Sequence, residues 1–594
     1  MPVYRAPTAD YGFLLHDWLA LHQRQDLPCF ADLTPEFTAQ VLDAAARFFE
    51  NELHPINQCA DEEGAQLLEG RVCTPAGFKV AWARFAEAGW QRLTVDAELG
   101  GAGQPPALAV AIDEMGMACG HAFMMYGAFC PSAAQMLSAL GEPWMRDHVV
   151  PELVAGRWTA TMCLTEPHCG TDLRQTRTRA QPQADGSWRV HGTKIFISGG
   201  DHDLTDAIAH IVLAKVPDAD GQLPPGLGAV NVFLVPSRHI DTRTGRLGDR
   251  NAIEVTSIEH KMGIGASATC ALNFDGATGW RIANGSGGSS ANMAAMFMMM
   301  NHARVAIAVS GVAYADIAYQ NARAYAHERL SGRSALGPRR PDLPADPLVV
   351  HPDVRRLLLD TRAFAEGGRA AALRVAVWQS LAAHSADLQE RERAGDLVEL
   401  LTPVLKAYCT DKGFAATNDC LQVFGGHGYV RDTGMEHFVR NARIAQIYEG
   451  ANGIQAMDLV GRKLTAHGGR ALRSFEAAVR QSVQDLSARE DTRGLAQALA
   501  AGLEHLLVAT QALRQQAAGR PDLPGAAAYD LLTMFGILSV AWAWADVAAV
   551  PSAGETRRML ARLWFGREMP LLQSLRARVT DAAALLCDWA DEAV

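Results

Sequence analysis

The sequence predicts an α+β multidomain chain in which a small β domain interrupts two helical regions. Three observations carry that prediction. From Thr34, apolar residues recur three and four apart, as in VLDAAARFFENEL, the spacing of one helix face. Near Thr161 the pattern changes to short runs rich in β-branched residues, bounded by Gly, Asp and Pro. Beyond NGSGGSS (284–290) long helical patterns return.

Taken in order, residues 1–38 form an N-terminal arm punctuated by Pro2, Pro7, Pro28 and Pro35. Residues 39–160 read as a helical domain, broken by the glycine-rich loop ELGGAGQPP (98–106). Residues 161–282 read as a β domain, from WRVHGTKIFISGG, AIAHIVLAKV, AVNVFLVPS, TSIEHKMGI and TCALNFDGATGWRI. Residues 283–465 read as a helical bundle, interrupted by the proline-rich SALGPRRPDLPADP (334–347). Residues 466–594 add a helical extension with amphipathic segments such as GLAQALAAGLEHLLVATQALRQQAAG, and packing is its default role. The apolar run LLTMFGILSVAWAWA is bounded by Asp530 and Asp546. It falls short of the roughly twenty residues a spanning helix needs, so a buried helix is expected and no membrane span. The first residues lack the basic and apolar regions of a secretory signal.

The chain has 594 residues, 49% hydrophobic and 20% charged, enough apolar material for sizeable cores. Its formal charge of −11 and its lack of Lys/Arg runs argue against a nucleic-acid partner. The eleven cysteines show no Cys-x-x-Cys spacing. No metal site is therefore expected, and a reducing, cytoplasmic compartment is. Cys163 and Cys169 read as core or near-core thiols.

Four segments carry chemistry. In ARIAQIYEGANGIQ (442–455), Glu449 lies between an apolar stretch and Gly450, where desolvation raises a carboxylate's pKa and strengthens it as a base. Alone, such a Glu is more often a cap or a surface charge. In CLQVFGGHGYVRD (420–432), Gly425, Gly426 and Gly428 allow close backbone approach to a ligand, and such a turn can present N–H groups to phosphate. Alone it is a turn. In MCLTEPHCGTD (162–172), backbone groups at Leu164 and Thr165 can bond the edge of a heterocycle, or the segment is a plain loop into the β domain. In GTKIFISGGDHD (192–203), Phe196 can flank a flat ring and Ser198 can bond it, or the run is an edge strand and turn.

In this order and at these separations, the four segments resemble the acyl-CoA dehydrogenase family. LTEPHCGTD is similar to that family's loop before the β domain, KIFISGG to its flavin-flanking strand, QVFGGHGYVRD to its pyrophosphate turn and QIYEG to its catalytic segment. ELGGAGQP, PELVAGRW and YAHERLSGRS match more weakly, and the resemblance covers about residues 40–465. It implies the acyl-CoA dehydrogenase fold: an N-terminal helical domain, a central β domain and a C-terminal four-helix bundle, here with a C-terminal helical extension. It implies FAD as cofactor and Glu449 as the base that takes the α-proton of an acyl-CoA, while FAD accepts the β-hydride and a trans-2-enoyl-CoA results. Leu164, Thr165, Phe196 and Ser198 fall on flavin-ring contacts. Arg329, Gln422, Gly425 and Gly426 fall on positions that hold the rest of FAD. Thr171 matches a substrate-lining position and Arg304 one near the CoA nucleotide.

Two places depart from the family pattern. Gly332 and Arg333 stand where an aromatic usually follows Arg329, and Ala451 and Gly453 replace the family's Thr and Gln after the base. The far end of the FAD site is therefore expected to be held differently. The arm, the extension and KMGIGASATCALNFDGATGW resemble a long bacterial subgroup that includes methylthiopropionyl-CoA and longer-chain acyl-CoA dehydrogenases. The methionine-rich MAAMFMMMN (293–301) reads either as acyl-pocket lining or as core. By resemblance the expected partners are an acyl-CoA, an electron-transferring flavoprotein and a second copy in a homodimer, with a homotetramer as the alternative. An acyl-CoA oxidase and a non-catalytic alkylation-response flavoprotein are the rival functions.

Overall fold

Thr34 and Pro35 begin the first long helix, Pro35–Phe48. In the computed structural model the Thr34 hydroxyl accepts from the Phe37 N–H at 3.2 Å, and Pro35 sits where its missing N–H costs nothing. The structure describes residues 2–218, 220–282 and 288–593, with backbone alone for 288–303. The MAAMFMMMN side chains, and with them the acyl-pocket reading, lie outside the described residues.

The chain divides into two units. One comprises Met1–Glu50, Pro105–Ala118 and Arg304–Val594, the other Asn51–Gln104 and Cys119–Ala303. These bounds cut across the linear division drawn from the sequence, because the arm and part of the N-terminal helical region join the bundle.

A buried charge cluster makes that grouping in the first unit. Arg369, on the helix Pro352–His384, is 1% exposed. Its Nε lies 2.9 Å from Glu114 Oε2, its Nη1 2.7 Å from Asp10 Oδ2 and its Nη2 3.5 Å from Asp316 Oδ1. The Tyr11 hydroxyl donates to Glu114 at 2.5 Å, and Arg557 of the extension reaches Asp10 at 2.7 Å. Arm, helix, bundle and extension thus converge on one guanidinium. Val3 adds a mutual backbone-to-amide pair with Asn321, both bonds 2.8 Å.

The bundle is built from Gly288–Glu328, Pro352–His384 and Leu388–Phe424, completed by Met435–Arg443 and Asn452–Asp458. The first and third approach so closely that a Cβ on Gly311 would lie 2.1 Å from the Cys409 carbonyl oxygen. The extension packs Ala466–Ser487, Arg493–Ala517 and Leu523–Ala549 onto this frame. Trp544 donates to the Ala363 carbonyl at 2.9 Å, and Arg374 meets Asp546 at 2.6 Å with Trp542 beneath its guanidinium. Leu523–Ala549, with mean hydropathy 1.6, and Pro106–Leu140, with 1.2, are long and apolar enough to cross a membrane; here 89% and 83% of those windows are buried. The apolar run before Asp546 is thus a buried helix, as its sequence suggested, although the helix is longer than the run.

In the second unit, a sheet of seven strands among the described residues carries the β domain: β1 (Trp158–Cys163), β2 (Arg179–Pro182), β3 (Trp188–Ser198), β4 (Ala207–Lys215), β5 (Val230–Pro236), β6 (Ile253–Ile258) and β7 (Thr269–Arg281). Their order is β6-β7-β3-β2-β4-β1, and β5 pairs with both β4 and β7, so five strands close into a ring. The β1–β4 pairing is parallel and β3–β7 antiparallel. The core beneath the sheet joins Leu137, Val150 and Leu153 to Ile211, Leu213 and Leu234. The sequence pattern missed a hairpin, Gln66–Leu68 with Arg71–Cys73, whose strands are too short to display alternation. The first strand, β1, starts at Trp158, just ahead of the change in pattern near Thr161.

Candidate active site

In the first unit the segment QIYEG leaves helical geometry just after Gln446. Glu449 takes φ +56°, in the left-handed region that favours glycine. A non-glycine residue there stores strain of order 1–3 kcal/mol that its surroundings must hold. Lys406 supplies part of that hold. Its Nζ, on the wholly buried side of Leu388–Phe424, donates to the Gly450 carbonyl at 2.8 Å and to Asn452 Oδ1 at 2.9 Å. Gln455 donates to the Glu449 and Gly450 carbonyls, both at 3.2 Å.

The Glu449 carboxylate is left open. Its Oε2 is buried without a hydrogen-bond partner among the described residues. Burial raises its pKa above the ordinary carboxylate value, while the charges of Arg304 and Lys406 pull it back. Burial likewise pushes the Lys406 ammonium down to about 8. Arg304 is 6% exposed, with Nη1 3.9 Å from Asp458 Oδ2. Its surroundings are those of a buried cation near the base. An open, desolvated carboxylate with cations behind it can accept a proton from carbon.

The same unit contains a groove of about 660 Å³ whose lining includes Arg329, Gln422, Gly425 and Gly426. The structure therefore brings together all four residues expected to hold the distal part of the cofactor. Gly425 ends the helix Leu388–Phe424 at φ +59°, and a Cβ on Gly425 or Gly426 would meet open space. Tyr325 lines the groove too, stacked on Phe424 with ring centroids 4.2 Å apart. At the departure after Arg329, Gly332 takes φ +67°, and Arg333 turns inward to Asp346 at 3.4 Å. The buried Asp346 carboxylate also accepts the N–H groups of Ser334, Arg339 and Arg340. The proline-rich loop is thus folded on its own carboxylate. At the second departure, Ala451 ends the turn and Gly453 lies in the short helix Asn452–Asp458.

In the second unit, the loop after β1 is tied to β3. Ile195 N–H donates to the Thr165 carbonyl at 2.9 Å, and Lys194 Nζ to the Leu164 carbonyl at 3.0 Å. Lys194 also pairs with Glu166 at 2.8 Å, both buried. Burial works against the Glu166 charge, but Lys194 and the N–H groups of Arg177 and Thr178 hold its pKa below the ordinary range. A bulge in the β3–β7 register, between Cys270 and Leu272, puts Phe196 at φ +59° and leaves its ring 59% exposed. Leu164, Thr165 and Phe196 thus share one end of β3, with Ser198 two residues on, opposite Thr269. Thr171 lies in an exposed bend. Cys163 and Cys169 are buried. Cys169, His168 and Glu166 offer ligand atoms within 4.8 Å of one another, but the Glu166 carboxylate is already spent on Lys194 and backbone donors.

Lys406, Asn452 and Gln455 were missed from sequence. The one legible signal was a lone lysine inside the apolar run LLTPVLKAYC.

The residues fit FAD: the open groove suits its distal part, and the exposed Phe196 ring beside the Leu164 and Thr165 backbone suits a flat heterocycle. These features suit a flavin-dependent oxidoreductase. Family profiles agree: the N-terminal, middle and C-terminal domains of acyl-CoA dehydrogenase match residues 35–157, 161–277 and 293–465, and an acetyl-CoA dehydrogenase C-terminal-like domain matches 475–589. The chain belongs to the acyl-CoA dehydrogenase family. It is 35% identical to the 3-methylmercaptopropionyl-CoA dehydrogenase of Ruegeria pomeroyi, over 94% of each chain. The fold is similar to that of ACDH-11 from Caenorhabditis elegans, solved with C11-CoA (TM-score 0.80, 20% identity, 99% and 96% of the two chains). It is also similar to an acyl-CoA dehydrogenase of Bacillus anthracis complexed with FAD (TM-score 0.73, 18% identity, 98% and 93%). The protein is an acyl-CoA dehydrogenase, an oxidoreductase with FAD as cofactor.

Proposed function

We propose that the protein converts an acyl-CoA thioester to its trans-2-enoyl-CoA, with Glu449 removing the α-proton. The observation that carries this reading is the Glu449 carboxylate, whose buried Oε2 has no partner among the described residues. Its raised pKa makes it a stronger base once ionised, and Arg304 and Lys406 keep the ionised form accessible. The backbone N–H of Glu449 polarises the thioester carbonyl, spreading the charge that forms as the α-C–H bond breaks. Bound FAD supplies the acceptor for the β-hydrogen and its electron pair, which leaves a carbon–carbon double bond. Phe196, with the Leu164 and Thr165 backbone and Ser198, orients the flavin ring. Arg329, Gln422, Gly425 and Gly426 hold the distal part. Thr171 lines the substrate path, and Arg304 tunes the base from its buried pair with Asp458.

The substrate class we propose is a short acyl chain of the methylthiopropionyl type, supported by the likeness to the Ruegeria pomeroyi enzyme over 94% of the chain. We further propose a homodimer that passes electrons to an electron-transferring flavoprotein. A reducing, cytoplasmic setting is supported by eleven free thiols.

Anaerobic mixing with a panel of acyl-CoAs, from methylthiopropionyl to long saturated chains, tests the reading by flavin bleaching. Bleaching is expected with wild type and none with Glu449→Gln. A Glu449→Gln enzyme that bleaches at the wild-type rate would overturn the assignment. Peroxide formed in air without an added acceptor would replace the dehydrogenase reading with an oxidase.

A further inference from the structure

Asp411, on the helix Leu388–Phe424, brackets the catalytic segment from both sides. Its Oδ1 accepts from Gln446 Nε2 at 2.7 Å and from Asn452 Nδ2 at 2.8 Å. Gln446 lies three residues before Glu449, and Asn452 three after it. Asn452 is fixed further by the Ala407 carbonyl at 3.1 Å and Thr410 Oγ1 at 3.0 Å, and its Oδ1 receives Lys406. One carboxylate oxygen therefore clamps both ends of a turn whose middle residue has φ +56°.

The other oxygen of that carboxylate is held from the extension. Tyr529, on Leu523–Ala549, donates its hydroxyl to Asp411 Oδ2 at 2.5 Å. The bond runs between residues 118 positions apart. It is charge-assisted, the stronger kind of hydrogen bond. Without it, the carboxylate keeps its Oδ1 bonds to Gln446 and Asn452 but loses the second anchor that sets its plane.

We infer that Tyr529 is a positioning residue for the base: through Asp411 it fixes the clamp on Gln446 and Asn452 that holds Glu449 in its strained backbone conformation. This assigns the extension a part in catalysis beyond packing, and it rests on the proposed role of Glu449. Proton abstraction from carbon is sensitive to the distance and angle of the base, and small misplacements slow it steeply. Loss of the clamp slows the proton step and leaves substrate binding, which Tyr529 does not touch, nearly unchanged.

The test compares flavin-loaded wild type, Tyr529→Phe, Thr533→Ala and Glu449→Gln in anaerobic stopped flow, with α-deuterated and unlabelled acyl-CoA of the chain length that bleaches best. Tyr529→Phe keeps the ring and loses only the hydroxyl. Thr533 lies one turn further along the same helix, and among the described residues its hydroxyl bonds the Tyr529 carbonyl alone, so its variant controls for local disturbance. The expected result is flavin reduction slowed about tenfold in Tyr529→Phe. KM should change less than about twofold, and the α-deuterium isotope effect should be larger than in wild type; Thr533→Ala should match wild type. Wild-type reduction by Tyr529→Phe, with Glu449→Gln inactive, would overturn the positioning role and leave the base assignment standing. A slowed Tyr529→Phe with lost flavin, a lowered melting temperature and an unchanged isotope effect would also overturn it, marking the tyrosine as structural only. An active Glu449→Gln would overturn the base assignment, and the positioning role with it.

Discussion

Replacing Arg369 with methionine isolates the energetics of the buried cluster. Methionine keeps most of the volume and removes the charge. Asp10 retains Arg557, at 2.7 Å. Burial pushes the Asp316 carboxyl up to about 7, so it loses its charge readily. Glu114 is the group stranded: it is 0% exposed, and without the guanidinium its one remaining side-chain bond among the described residues is from Tyr11. Removing one partner of a buried ion pair costs about 3–5 kcal/mol, because the other charge stays buried. The pH dependence carries the sign. In the variant the Asp316 carboxyl, already held up at about 7 by burial and no longer pulled down by the Arg369 charge, has a folded-state pKa raised further above its unfolded value. The folded state then binds more protons between the two values, and stability falls as pH rises through that window. Urea denaturation at pH 5 and pH 8, followed by tryptophan fluorescence, should show Arg369→Met losing more at pH 8. A loss under about 1 kcal/mol, or one equal at both pH values, would refute the reasoning.

The close helix approach at Gly311 gives a second test: Gly311→Ala should cost about 1–3 kcal/mol, read as a lowered melting temperature, since its Cβ would lie 2.1 Å from the Cys409 carbonyl oxygen. In the second unit, burial pushes His202 down to about 4 and His210 down to about 3, from 6.5. Their contribution is whole above the unfolded pKa and is lost as pH falls toward the folded values, about 2 kcal/mol per histidine at pH 5. Hydrogen exchange of β1 and β4 between pH 7 and pH 5 checks that, and protection unchanged over the range would refute it. Lys406→Met removes a cation facing Glu449 and should raise the Glu449 pKa further. Because the ionised carboxylate is the base, activity is lost as pH falls through that pKa, so the acid limb of the kcat/KM profile should move to higher pH. An acid limb that stays in place with flavin content intact would show that Lys406 does not act on the base.

The order of helical and β regions was legible because periods of 3.6 and 2 are local properties of the chain. The residues of the groove and of the end of β3 were legible for a different reason: they come in short ordered motifs. What escaped depends on partners distant in sequence. Lys406 meets Gly450 across 44 positions, and Arg369 meets Glu114 across 255. No window on the chain contains both members. Phe196 was assigned to a flavin-flanking strand, yet its left-handed backbone comes from a bulge set by the register against β7, which a single strand does not encode. The grouping of Pro105–Ala118 with the bundle escaped likewise, since the charge of Glu114 makes sense only beside Arg369.

The helix Leu523–Ala549 has a consequence for how the protein is made. An 18-residue window of it has a mean hydropathy of 1.6, and much of the surface that buries it is built by residues 352–517, which precede it in the chain. Synthesis runs in the favourable direction, because that surface leaves the ribosome first. Moved ahead of the bundle, as in a circular permutant, the same segment would emerge with nothing to cover it, and the nascent chain would expose an apolar rod to chaperones and lipid.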